Sequence, residues 1–337
     1  MIVRIPLIVV RTTWRASMVK IVLLALLLTF FLLTLKIGTF PLAMLEVIAA
    51  VFDDSDPVRH MIVADHRLPR ALAAMGCGIA LGAAGALFQT MLRNPLASPD
   101  WIGFTSGASF GALLAIHMFG GYLIVGALTG AAITACLVLA LAFDRGLNIR
   151  NLVIIGIGAN LMIGAAADLL LARVDLMTAA DMSKWLVGAL NGRDWSDAQL
   201  IWSGLVLLAP ALFINEFYLR PSILGDPTAQ GLGMSLSSTR LASAVLGSLL
   251  VTLAVCVAGP LAFVAFVSAP IAKRLEGGVT TALLSASMIG GMIVLLADIA
   301  SRFTPLVQLP TGVFTALVGA PILIWLLLLE TRRGHLR

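Results

Sequence analysis

Charge is what this 337-residue chain has least of. Only 12% of its residues are charged, while 60% are hydrophobic and the mean hydropathy is +1.04. A soluble domain carries roughly 25% charged residues, so most of this surface must face lipid or other buried helices. The composition therefore excludes an ordinary soluble domain. Cysteine is nearly as scarce: Cys77, Cys136 and Cys256 all lie in apolar stretches, and an odd, isolated set offers no disulfide framework, leaving buried structural thiols. His60, His66, His117 and His335 show no paired metal-ligand spacing, and no Ser/His/acid or Cys/His set stands out. None of Lys20, Lys36, Lys184 or Lys273 follows a glycine, so a phosphate-binding Gly-x-x-x-x-Gly-Lys-Ser/Thr loop is absent. The net charge of +5 comes from bases interspersed between apolar runs, which fits the flanks of membrane spans and not a nucleic-acid surface.

What the chain has instead is long uncharged windows: 21–35, 71–92, 101–143, 151–167, 199–215, 241–272, 277–297 and 303–329. Two of them are too long for one crossing. Gly120-Gly121 divides the third and Gly259-Pro260 the sixth, because proline stops regular helix hydrogen bonding. The result is ten spans. Period-two alternation is missing from every window, so the spans are helices and not barrel strands. The reading is an all-α polytopic membrane protein: a basic cytoplasmic arm at 1–20, a ten-helix domain at 21–330 and a cytoplasmic tail at 331–337. The first span, with its long basic leader and no small-residue cleavage site after it, reads as an uncleaved helix.

With both ends inside, the inner segments hold 14 of the 22 Lys and Arg and 6 of the 17 acids, giving +8 inside and −3 outside. The positive-inside rule supports that orientation. It places His66-Arg67-Leu68-Pro69-Arg70 outside and Arg93-Asn94-Pro95-Leu96-Ala97-Ser98-Pro99 inside, separated by residues 71–92, about 33 Å of helix. One polar motif on each side makes transport the first hypothesis. Gly78, Gly82 and Gly85 are spaced for close helix contact along that span. Residues 173–197 predict a small outer helix. The inner segment Gly225-Asp226-Pro227-Thr228-Ala229-Gln230-Gly231-Leu232-Gly233 predicts a very short helix with Asp226 as its cap, a lever for a soluble partner. Asp168 and Asp298 lie at the outer ends of their windows. Asp298 stands four residues before Arg302, which predicts an ion pair anchoring a helix end ahead of a proton carrier.

Arg67-Leu68-Pro69-Arg70, Gln89, Asn94-Pro95-Leu96-Ala97, Gly103 with Ser106-Gly107-Ala108, Leu224-Gly225-Asp226, Ala258-Gly259-Pro260, Ala297-Asp298 with Arg302, and Leu309-Pro310-Thr311-Gly312 stand in one order at characteristic spacing. Together they resemble the FecCD-type permeases, membrane subunits of type II ATP-binding-cassette importers for iron–siderophores, haem and vitamin B12, over residues 40 to 330. The runs Met91–Leu96, Ser98–Asp100, Ile154–Gly158 and Leu190–Gly192 are most similar to permeases of a catecholate-siderophore importer. The resemblance implies a second permease subunit, a paralogue in a heterodimer, together with two ATPase subunits that bind ATP and Mg, a periplasmic substrate-binding protein, and an inner-membrane location. It implies no cofactor bound by this chain. Arg67, Arg70 and Arg302 correspond to exposed arginines that dock the binding protein, phospholipid headgroups being the competing partner. Residues 225–233 correspond to the coupling helix, and Asn94, Pro95, Leu96 and Asn148 to the cytoplasmic gate. One departure stands out. Where the family reads Pro-His before Ile, this chain has Ala269-Pro270-Ile271. A cobalamin or haem importer, and a proton-coupled secondary transporter, are the alternative readings.

Overall fold

The computed structural model describes residues 14–38, 40–53, 55–143, 147–277, 280–303 and 309–334. Helices α1 (Trp14–Lys36), α2 (Met44–Phe52) and α3 (Pro57–His60) come first. A π-helical turn, Met61–Arg67, then runs into α4 (Leu68–Met91). After a short 3₁₀ turn come α5 (Phe104–Phe119), α6 (Leu123–Ala142), α7 (Ile149–Leu171), α8 (Leu176–Val187) and α9 (Trp195–Leu219). The chain ends with α10 (Asp226–Gly231), α11 (Leu236–Ala258), α12 (Val264–Glu276), α13 (Leu283–Arg302) and α14 (Thr311–Gly334).

Each apolar window holds a helix, and both predicted breaks are real. Gly120, at φ +68°, closes α5, and Gly259, at φ +70°, closes α11. A side chain at either position would be strained, since L residues rarely adopt positive φ. Among the described residues seven helices are long and apolar enough to cross a membrane: α1, the continuous Pro57–Met91 helix, α6, α7, the α9 segment, α11 and α13. α5 and the apolar part of α14 are shorter, and α12 has thirteen residues and carries Lys273, Arg274 and Glu276. The count of seven falls short of the ten spans read from the sequence, and two of the three missing helices, α5 and α12, are the short pieces left where glycine and proline cut a window.

The first helix starts at Trp14, ahead of the window that begins at residue 21, so Arg15 and Lys20 belong to its first turns, where Arg15 Nε donates to the Leu275 carbonyl and Lys20 lies 3.9 Å from Glu276. Residues 1–13 of the predicted arm at 1–20, and residues 335–337 of the predicted tail at 331–337, lie outside the described residues.

α4 is the axis of the bundle. It, α11 and α13 are mostly buried, whereas α1, α6, α7 and α9 bury less than a third of their apolar windows and turn wide hydrophobic faces outward. An outward apolar face is stable only against lipid or another membrane subunit. Cys77 and Cys256 are buried as expected, but Cys136 is exposed because it lies on the outward face of α6. The core closes where glycines let backbones touch: a side chain at Gly78, Gly82 or Gly85 would collide with backbone of α13 or α12.

Candidate functional site

At the C-terminal end of α4 the chain turns sharply. Arg93 takes φ +50°, the Asn94 amide donates to the Gln89 carbonyl at 3.2 Å, and Asn94 Oδ1 accepts from the Leu96 amide at 2.9 Å. The asparagine side chain thus mimics a backbone acceptor and fixes the turn that presents Pro95 and Leu96. Asn148 does the same for α7. Its Oδ1 accepts from the amides of Arg150 (3.0 Å) and Asn151 (3.3 Å), capping two otherwise orphan donors. Leu92, Asn94, Ala97, Ile149 and Val153 wall a common cavity of about 140 Å³, so the two asparagine-built turns meet.

A wider polar cleft of about 650 Å³ joins Asn148 and Ile149 to Asp226, Gln230 and Arg240. Here the short inner helix appears as α10, narrower than residues 225–233 and capped differently. Asp226 is not its cap: Gly225, at φ +97°, takes the position before the first helical residue and accepts the Ala229 amide at 2.9 Å. The Asp226 carboxylate turns back instead. It receives Arg240 Nη2 at 2.7 Å and lies 3.6 Å from Arg93, tying α10 to α11 and to the Asn94 turn. Ala229 packs against the bundle, while Pro227, Thr228, Gln230 and Leu232 face outward.

A third cavity, about 560 Å³, lies between the end of α8, the Pro260–Phe263 break and α14. Its walls are mostly apolar, with Ser98, Asp100 and Thr105 along one side. The Ser98 and Thr105 hydroxyls donate to Asp100 at 3.0 and 2.8 Å, and burial pushes this carboxyl above its usual range against the pull of both donors. Among the described residues no three His, Cys, Asp or Glu side chains form a group that could hold a metal ion.

At the opposite end, the three arginines are not the exposed donors that the resemblance implied. Arg67 is buried: its Nη1 donates to the Leu35 and Lys36 carbonyls at 2.9 and 3.1 Å, and its Nη2 to the Phe40 carbonyl at 2.6 Å. Arg302 Nη1 donates to the Thr34 and Ile37 carbonyls, both at 2.9 Å. The last carbonyls of a helix have no intrahelical donor and carry the negative end of its dipole, so two guanidiniums cap the C-terminus of α1. Arg302 Nη2 also pairs with Asp298, and Arg70 reaches the same carboxylate through Nε at 2.9 Å and Nη2 at 2.7 Å. Asp298 is completely buried. The anchoring ion pair predicted from the i,i+4 spacing is present, and Arg70 adds a second arm from α4.

The model of the FecCD transport family matches residues 26–329. The chain belongs to this family. Over 308 residues it is 38% identical to FepG, the permease of the ferric enterobactin transport system of Escherichia coli (strain K12), with 89% of this chain and 92% of that one covered. It is 34% identical over 325 residues to CbrC, the achromobactin transport system permease of Dickeya dadantii (strain 3937), covering 94% and 92%. Among solved structures, an inward-facing conformation described as a metal-chelate type ABC transporter superposes with a TM-score of 0.83 at 27% identity, over 93% of this chain and 99% of that one. This chain is accordingly an all-α permease of the ABC transporter class, akin to siderophore and iron transport permeases.

Proposed function

We propose that this FecCD permease carries a ferric siderophore, of the catecholate type, from the periplasm to the cytoplasm of a bacterium. The observation that carries the reading is the inner-face assembly: two asparagine-fixed turns meet at one cavity beside a short helix whose outward residues have no partner in the bundle. In this reading the chain crosses the inner membrane ten times with both termini in the cytoplasm. It pairs with a paralogous second permease across the apolar faces of its outer helices. Each permease presents α10 and residues 225–233 to an ATPase subunit that holds ATP and Mg, while this chain binds no cofactor. Asn94, Pro95, Leu96 and Asn148 form the cytoplasmic gate. The outer ends of α1, α4 and α13, held together by Arg67, Arg70 and Arg302, form the seat of a periplasmic binding protein.

Leu232 gives this proposal a direct test, because it is exposed beside α10 and in this reading it touches the ATPase subunit. A strain lacking this chain is supplied with the wild type or with Leu232→Asp, and uptake of ⁵⁵Fe-labelled chelates is followed. The wild type restores uptake of a catecholate chelate. Leu232→Asp lowers it about tenfold or more, with unchanged amounts of inserted protein, since a buried interface contact of this kind is worth about 2 kcal/mol. Restoration of cobalamin or haem uptake alone assigns the other cargo.

A further inference from the structure

Pro270 sits inside α12 and has no N–H, so it cannot serve the Phe266 carbonyl four residues earlier. In an apolar interior that carbonyl needs another donor. It receives one from a different helix: Gln89 Nε2 of α4 donates to the Phe266 oxygen at 2.9 Å. Gln89 is 1% exposed, and its own Oε1 has no hydrogen-bond partner among the described residues, so placing this amide here costs free energy that its neighbours must offset. One turn earlier on α4, a Cβ at Gly85 would lie 1.9 Å from the Ala265 oxygen, so the two backbones meet beside the bond. This proline stands one place later than in the Pro-His-Ile pattern, and the carbonyl four residues before it is the one that Gln89 reaches.

Two further contacts link this bond to the gate turn. The backbone oxygen of Gln89 accepts from the Asn94 amide at 3.2 Å, and Leu96 packs on the buried Phe266–Val267 pair. Phe263, which opens α12 at φ +65°, lies where a Cβ on Gly319 of α14 would be only 2.2 Å away, so the other end of α12 is held as well.

We infer that Gln89 is a positioning residue for the inner gate: its amide replaces the N–H that Pro270 deletes, and so seats the Asn94–Leu96 turn against α12. The inference rests on the reading of that turn as the gate, and its test needs neither cargo nor ATP. Leu96→Cys is introduced into a chain carrying Cys136→Ala, in the assembled transporter, and the rate of its labelling by a water-soluble maleimide is measured in inside-out vesicles. Gln89→Leu is expected to raise that rate about tenfold, the effect of losing one buried hydrogen bond. Adding Pro270→Ala supplies Phe266 with a donor from its own helix and should return the rate to within about twofold of the parent. If Gln89→Leu alone does not insert, the same rescue is read from the amount of folded protein. Labelling at the parental rate in Gln89→Leu overturns the inference. So does a Gln89→Leu defect, in labelling or in folded amount, that Pro270→Ala leaves unchanged. Correct labelling behaviour combined with uptake indifferent to bulk at Leu96 would instead reject the gate assignment and keep the latch.

Discussion

Asp298→Ala is expected to destabilise the detergent-solubilised protein by about 3–5 kcal/mol, the cost of breaking a buried ion pair from one side. The carboxylate is fully buried and holds Arg70 and Arg302, whose side chains are only 16% and 10% exposed. Arg302 keeps the Thr34 and Ile37 carbonyls when the acid goes, but Arg70 has no other acceptor among the described residues. A buried cation without a counter-charge is what makes the loss large. Adding Arg70→Met to Asp298→Ala removes the stranded charge and should recover more than half of the loss. Thermal unfolding of the single and double variants measures both numbers. A double variant no better than the single one would mean that the acid acts through something other than Arg70. Total stability is typically about 5–15 kcal/mol, so the single variant should also accumulate poorly in membranes.

Enlarging the glycines of α4 has an effect of similar size by a different route. A Cβ at Gly82 would lie 2.2 Å from the Ala286 oxygen and 3.0 Å from the Ser287 Cα, and one at Gly85 would lie 1.9 Å from the Ala265 oxygen. These neighbours are backbone atoms of α13 and α12, so no rotamer change relieves the clash and the helices must part. Gly82→Ala is expected to cost about 1–3 kcal/mol, and Gly82→Leu to prevent assembly of the bundle. Gly158 and Gly164 on α7 meet nothing within 4 Å, so alanine there should be close to neutral. Tm values for the four variants decide the matter. Equal tolerance at positions 82 and 158 would contradict close backbone packing as the basis of the core.

The glycine spacing made this packing legible in advance, as the apolar windows did the helices and the Asp298–Arg302 interval did the ion pair. What stayed hidden was the partner across space. The resemblance assigned Arg67 and Arg302 to docking as exposed groups, and it carried no sign that α1 ends beside them with carbonyls that need donors. Counting the orphan carbonyls of α1 would have been the available signal. Asp226 was a plausible cap by type, but Gly225 already takes that position, which freed the carboxylate to pair with Arg240 and Arg93. Gln89 stood out only as part of a motif. Its physical role depends on Pro270, 181 residues away in the sequence, and no local pattern connects them.

The central claim, ATP-driven import through this permease, is tested most directly by transport in proteoliposomes. The chain is reconstituted with its second permease, the ATPase subunits and the binding protein, and ⁵⁵Fe-chelate uptake is measured with ATP either supplied or withheld on the α10 side. Uptake is expected to require ATP hydrolysis and to survive collapse of the proton gradient. Uptake driven by a pH gradient without ATP would contradict the claim.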